Sequence, residues 1–216
     1  MRPAFRPSPL TLAKKAADEL PAAAKRPSLW QELRVYVGRI REFDRTDWAV
    51  YIAWVGLMVG LFAATLGFLL VGHVHGVRYP SEAWLLPAGA FTFAVSIAID
   101  TVGHRTIYKE EIGRAEGLVH QITIVSGIAA CVLLCLAYHF PRDTWIPALV
   151  TTGLSLLYSL IDEAFHWRRY VQKFSDRVEM WSHVGILTGH STLMLAWWWW
   201  FLEGYPGVAA TLAFLP

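Results

Sequence analysis

The sequence predicts an all-α, polytopic membrane bundle, and three observations lead there. Hydrophobic residues make up 55% of the 216 positions and charged residues only 17%, with mean hydropathy +0.38, a balance too apolar for an ordinary soluble domain. The apolar residues gather into segments of roughly 20, the length needed to cross a bilayer as a helix. Eleven tryptophans accompany them, as expected of a chain whose indoles sit at membrane interfaces.

Taken in order, residues 1–27 are rich in Ala, Pro and Lys and read as a flexible cytoplasmic tail. They lack the compact apolar core of a secretory signal. Residues 28–47 open with Ser28 and Gln31 at capping-box spacing. Leu29, Trp30, Leu33, Tyr36, Val37 and Ile40 then recur at helical spacing among basic residues, which predicts an amphipathic helix lying on the cytoplasmic leaflet. Residues 48–216 hold five expected spans, at about 49–72, 83–103, 118–140, 145–166 and 180–202. Pro87 lies near the outer end of the second. Ile146-Pro147 opens the fourth, where proline suits a first turn. Trp197–Trp200 closes the fifth as an aromatic belt.

Charge sets the expected orientation. Seventeen of the nineteen Lys and Arg residues fall in the N-terminal segment and the loops near 103–117 and 167–179; only Arg78 and Arg142 fall on the other side. By the positive-inside rule the N-terminus is cytoplasmic, in an integral membrane protein of the bacterial inner membrane type.

Each of the four helix ends on that inner side carries an acid and an imidazole one turn apart: Asp100/His104, Glu116/His120, Glu163/His166 and Glu179/His183. Residues three or four apart share a helix face, so each pair can point inward together. Ionisable groups near a bilayer interior are costly and imply function. Glu163-Ala-Phe-His166 is a Glu-x-x-His of the kind that di-iron carboxylate bundles use. Carboxylates suit hard, oxidisable ions, and neutral imidazoles hold the metal while leaving positions open. The eight residues Asp100, His104, Glu116, His120, Glu163, His166, Glu179 and His183 are therefore the expected metal ligands. Asp162 and His190 are expected as outer-shell or proton-relay groups. Solvated charges at helix ends are the plainer reading of any single pair; four of four make a common site the better one.

Other candidates are weaker. His73 and His75, with Tyr79 nearby, form an incomplete shell for an outer metal site. Cys131 and Cys135 read as small apolar residues on a helix face, with copper ligation as the alternative. Glu110 and Glu111 either fold over the inner site or face water.

The run Asp100-Thr-Val-Gly-His104, followed by Glu110-Glu111 and His120, resembles a motif in the C subunit of the copper membrane monooxygenases, the particulate methane and ammonia monooxygenases. There an Asn, a His, a Glu-Glu pair and a further His occur in that order. The resemblance implies that Asp100, His104 and His120 hold a metal. Here Asp stands in place of Asn, and the spacer to His120 is two residues longer.

The expected activity is that of a metal-dependent membrane oxidoreductase, an oxygen-using hydroxylase, desaturase or oxidase. It would hold two ions, iron preferred and copper possible, and act on an apolar substrate drawn from the bilayer. The sequence has no nucleotide-binding Gly-rich loop and no Ser or Cys nucleophile constellation, and nothing suggests nucleic acid. Electrons must then come from an external donor. Two alternatives stand beside it: haem b electron transfer, with His120 and His183 as axial ligands, and a non-catalytic subunit of a larger membrane complex, its acid–imidazole pairs serving as interhelical hydrogen bonds.

Overall fold

A computed structural model of the chain describes residues 27–108, 114–173 and 176–215. Every regular element among them is helical. Helix α1 (Leu29–Gly38) opens on the expected capping box: the Gln31 amide donates to Ser28 Oγ at 3.3 Å, and the Ser28 amide to Gln31 Oε1 at 2.8 Å. It is shorter than the segment outlined from sequence, because a 3-10 turn at Arg39–Glu42 follows directly. Its inner face packs Tyr36 against Val102 and Val178, while Trp30 and Val35 stay exposed.

A second capping box, Asp44 with Asp47, starts α2 (Arg45–Val74). Asp47 is also paired with the Arg105 guanidinium, whose Nε donates to Oδ1 at 2.7 Å. A buried carboxylate needs such a partner, and here it ties the foot of α2 to α3 (Leu85–Thr106). Within its apolar run α2 buries only Met58, Leu69 and Gly72. It is a peripheral helix that covers the others on one side.

Helices α4 (Arg114–Leu136) and α5 (Pro141–Lys173) form a tight antiparallel hairpin. Helix α3 pairs as closely with α6 (Arg177–Leu202). Glycine makes that second pairing possible: a Cβ on Gly89 would lie 2.6 Å from the Leu193 amide nitrogen, and one on Gly189 2.5 Å from that of Phe93. The backbones touch where side chains would hold them apart. The two pairs meet through α5 and α6, with α2 alongside. A short α7 (Val208–Leu212) closes the far end against α2. The main apolar core lies at that end and includes Leu69, Leu86, Leu134, Leu193, Met194 and Trp200.

Four segments are long and apolar enough to cross a membrane: Arg45–Val74, Ser81–Thr106, Ala115–Leu136 and Pro141–Gln172. The fifth expected span is a helix of 26 residues that stands outside this group of four. It carries Ser182, His183, His190 and four consecutive tryptophans, and much of it faces protein: eleven of its residues are buried.

Candidate metal centre

Helices α3 to α6 bring all eight expected ligands to one end of the bundle, and the geometry builds from the helix faces. Asp100 and His104 are one turn apart on α3, with Oδ2 and Nε2 3.3 Å apart. Because α3 and α6 touch at glycine, His183 reaches across: its Nε2 lies 3.0 Å from Asp100 Oδ1, and its Nδ1 3.4 Å from Glu163 Oε1. His166 of α5 stacks on His183, ring centroids 3.3 Å apart. His120 of α4 lies 5.9 Å from His166 and 5.4 Å from His104, centroid to centroid. His166 and His183 are each 2% exposed.

Asp162 and His190, expected as outer-shell or proton-relay groups, lie in different places. Asp162 is central: its Oδ1 lies 3.3 Å from His120 Nδ1 and 3.7 Å from His166 Nε2, and its Oδ2 4.0 Å from His183 Nδ1. Its angular separation from Glu163 does not turn it away, since neighbouring helices bring imidazoles to both flanks of α5. His190 stands apart from the cluster. Its ring nitrogens meet Ser155 Oγ at 2.9 Å and Ser159 Oγ at 3.1 Å, and its ring stacks on Phe93.

Glu116 and Glu179, placed among the ligands from sequence, are both held by Arg169. Its Nη1 donates to Glu179 Oε1 at 2.9 Å, and its Nη2 donates to Glu116 Oε1. Glu179 Oε1 also meets His166 Nδ1 at 3.0 Å, a contact that fixes the imidazole tautomer and aims Nε2 inward. In the sequence Arg169 is one of the basic residues of the 167–179 loop. The available signal was its position three residues beyond His166, on the same helix face.

Two tyrosines roof the cluster. The Arg169 guanidinium lies over the Tyr108 ring at 5.4 Å. Burial, together with the Glu179 carboxylate that accepts its hydrogen bond, raises the Tyr108 phenol above its ordinary value. Tyr36 comes from α1; burial, then the Asp100 charge, raises it in the same direction. Both stay neutral phenols.

The donor set fits metal ions on two counts. First, several ligand-type atoms lie within ion-pair distance of one another without aligned hydrogen bonds. His104, His166 and His183 have ligating atoms all within 4.8 Å, as do His120, Asp162 and His166. Yet among the described residues Asp100 Oδ1, His104 Nε2, Asp162 Oδ1, His166 Nε2 and His183 Nε2 have no hydrogen-bond partner despite burial. Buried polar atoms are normally satisfied, so atoms that converge but are misaligned for one another suit a shared cation. Second, charge is unbalanced. Among the described residues the carboxylates of Asp100, Glu116, Asp162, Glu163 and Glu179 face one guanidinium, Arg169. Acid groups are then in excess, and divalent ions would offset them. Charged imidazoles do so less well, because like charges on rings stacked at 3.3 Å repel.

A cavity of about 260 Å³ adjoins the cluster. Asp100, His120, Asp162, Glu163 and His183 line one end, and Leu61, Leu193 and Met194 line its apolar remainder.

The other candidates do not converge. His73 meets Trp84 edge-on, while His75 stacks on Phe214 and its ring nitrogen donates to the Val71 carbonyl. Cys131 and Cys135 are free thiols. Glu110 and Glu111 lie outside the described residues. Comparison with protein-family models, curated proteins and solved structures yields no match for this chain.

Proposed function

We propose that this chain is a five-span integral membrane oxidoreductase that holds two metal ions at the inner ends of α3 to α6 and uses them, with oxygen, to oxidise an apolar membrane-soluble molecule. The observation that carries the reading is the set of buried, mutually misaligned imidazole and carboxylate atoms beside an apolar cavity. His104, His166 and His183 with Asp100 would hold one ion, and His120 with Asp162 the other. Glu163 adjoins His183. Mixed imidazole and carboxylate ligation without thiols suits iron, and copper is the alternative suggested by the resemblance around Asp100, His104 and His120. The bound ions would supply oxygen activation and one-electron chemistry that side chains alone do not.

The chain's own residues do the rest. Arg169 pairs with both Glu116 and Glu179 and holds them in place. Glu179 orients His166. The apolar cavity walls exclude water and accept the substrate, which would enter from lipid. Reducing equivalents come from a separate donor on the cytoplasmic side, where the positive charge gathers, and α1 is suited to lie on that leaflet. The inner-membrane placement and cytoplasmic N-terminus rest on the same charge asymmetry. The face-to-face packing of His166 on His183 favours non-haem ligation over a porphyrin, which would need an open slot between facing imidazoles.

Metal analysis and an absorption spectrum of detergent-purified protein test this. About two iron or copper ions per chain and no Soret band are expected. His166→Ala, with His104→Ala as a second variant, should lower the metal content while the helical circular dichroism is kept. A Soret band would turn the assignment to haem b. Well-folded protein that binds neither would overturn the oxidoreductase reading and leave the cluster as the structural network of a scaffold subunit.

A further inference from the structure

The cavity beside the cluster is not uniformly apolar, and among the described residues an unsatisfied hydroxyl on its wall, away from the acid and imidazole groups, points to a substrate class. Trp54, Leu57, Ile124, Ile128, Ile186 and Leu187 give it hydrocarbon walls. Hydroxyl groups elsewhere in the bundle return their hydrogen bond to the preceding turn: Thr65 to Leu61, Thr92 to Ala88, Thr101 to Ile97, Thr144 to Phe140. This is the usual way to satisfy a buried helical hydroxyl. Thr123 lines the cavity and does not do so; among the described residues its buried Oγ1 has no partner. His190 and Ser159 also line the cavity, but they are bonded to each other, and the second nitrogen of His190 meets Ser155. Thr123 follows His120 by three residues, so it faces the same way one turn deeper, a rise of about 4.5 Å.

We infer that the cavity binds an apolar molecule carrying one terminal hydroxyl or carbonyl, held by Thr123 Oγ1 so that the adjoining carbon faces the cluster. A volume of about 260 Å³, at roughly 10–15 Å³ for each water-sized probe, leaves room for the hydrocarbon part of such a molecule. An unfunctionalised hydrocarbon would leave the Thr123 hydroxyl unpaired and is the poorer ligand. As a substrate assignment this rests on the oxidoreductase reading; as a binding site it does not.

The test uses the full chain in lipid nanodiscs and a diazirine-bearing ten-carbon alcohol, with adducts located by mass spectrometry in metal-free and metal-loaded protein alike. Adducts are expected within residues 120–132 and 183–194. Excess 1-decanol should displace the probe, and decane should do so much less effectively. Thr123→Val, which keeps the shape and removes the hydroxyl, should weaken competition by decanol roughly three- to tenfold and leave that by decane unchanged. Leu187→Trp, which fills the cavity, should abolish the adducts and covers the case in which the valine variant fails to fold. Equal competition by alcohol and alkane, or adducts spread over lipid-facing residues such as Val125 and Leu149, would overturn the inference. Specific adducts on a protein that binds no metal would uphold the pocket while sinking the oxidoreductase reading.

Discussion

Arg169 is the residue on which the electrostatics of the cluster turn. Its guanidinium bridges Glu116 and Glu179 and rests on Tyr108, with its side chain 11% exposed. Removing one partner from a buried ionic network strands the other charges. Arg169→Met should therefore destabilise the protein by about 3 kcal/mol in chemical unfolding and weaken metal retention, because Glu179 would no longer hold His166 in register. Retention of full stability would mean that the two carboxylates are solvated or protonated. Tyr36 tests a different property. Its phenol is 3% exposed and its hydroxyl, among the described residues, has no hydrogen-bond partner. Its folded value is raised above the ordinary 10.0, by burial first and then by the Asp100 charge. A group raised on folding contributes stability that is complete below its unfolded value and is lost as pH rises past it. The wild type should then lose about 1.4 kcal/mol per pH unit above pH 10.0, relative to Tyr36→Phe. Denaturation series at pH 9 and above check this, with near-equality expected at neutral pH. Parallel pH profiles for the two proteins would show that Tyr36 is hydrated.

At the scale of elements, the crossing of α3 and α6 decides whether the cluster forms. Gly89 and Gly189 let the backbones touch, and that approach delivers His183 to Asp100 at 3.0 Å. Gly189→Ala forces a methyl into a space 2.5 Å from the Phe93 amide nitrogen; overpacking of this kind typically costs about 1–3 kcal/mol. The helices should part, with metal content falling alongside the unfolding midpoint. Gly60→Ala is the control, since nothing lies within 4 Å of its Cβ position, and a helix gains up to about 1 kcal/mol from that change. A harmless Gly189→Ala would show that the α3–α6 contact is looser than drawn. The same crossing was hidden in the sequence. A Gly at 89 and another at 189 read as ordinary small residues, and nothing local says that they face each other from a hundred positions apart. The acid–imidazole pairs were visible because each lies within one helical turn. Their convergence followed from topology, and the central place of Asp162 followed from neither.

For the whole molecule the open quantity is the number of crossings. Four helices qualify by length and apolarity; α6, packed against α3 and carrying His183 and His190, makes five in the proposed topology. Five crossings put exposed Arg41 and Glu203 on opposite sides, and four put them on the same side. Arg41→Cys and Glu203→Cys, labelled with a membrane-impermeant maleimide in intact cells and in opened membranes, separate the cases: Glu203→Cys should label in intact cells and Arg41→Cys only after opening. Labelling of both from one side would remove α6 from the membrane-crossing set.

Taken alone, the amino-acid sequence determined the helical class, the apolar segments, the capping box at Ser28 and the eight acid and imidazole residues at one end of the bundle. Those features follow from hydropathy runs, charge asymmetry and one-turn spacing, all of which are local along the chain. Only the tertiary structure decided that Asp162 sits among the imidazoles, that Arg169 clamps Glu116 and Glu179, that His190 turns to two serines, and that Thr123 faces a cavity. Each of these depends on how far a helix is rotated about its axis and which neighbour it meets. With about 100° between successive residues, a small rotation changes which side chain points inward, and long-range packing sets that rotation.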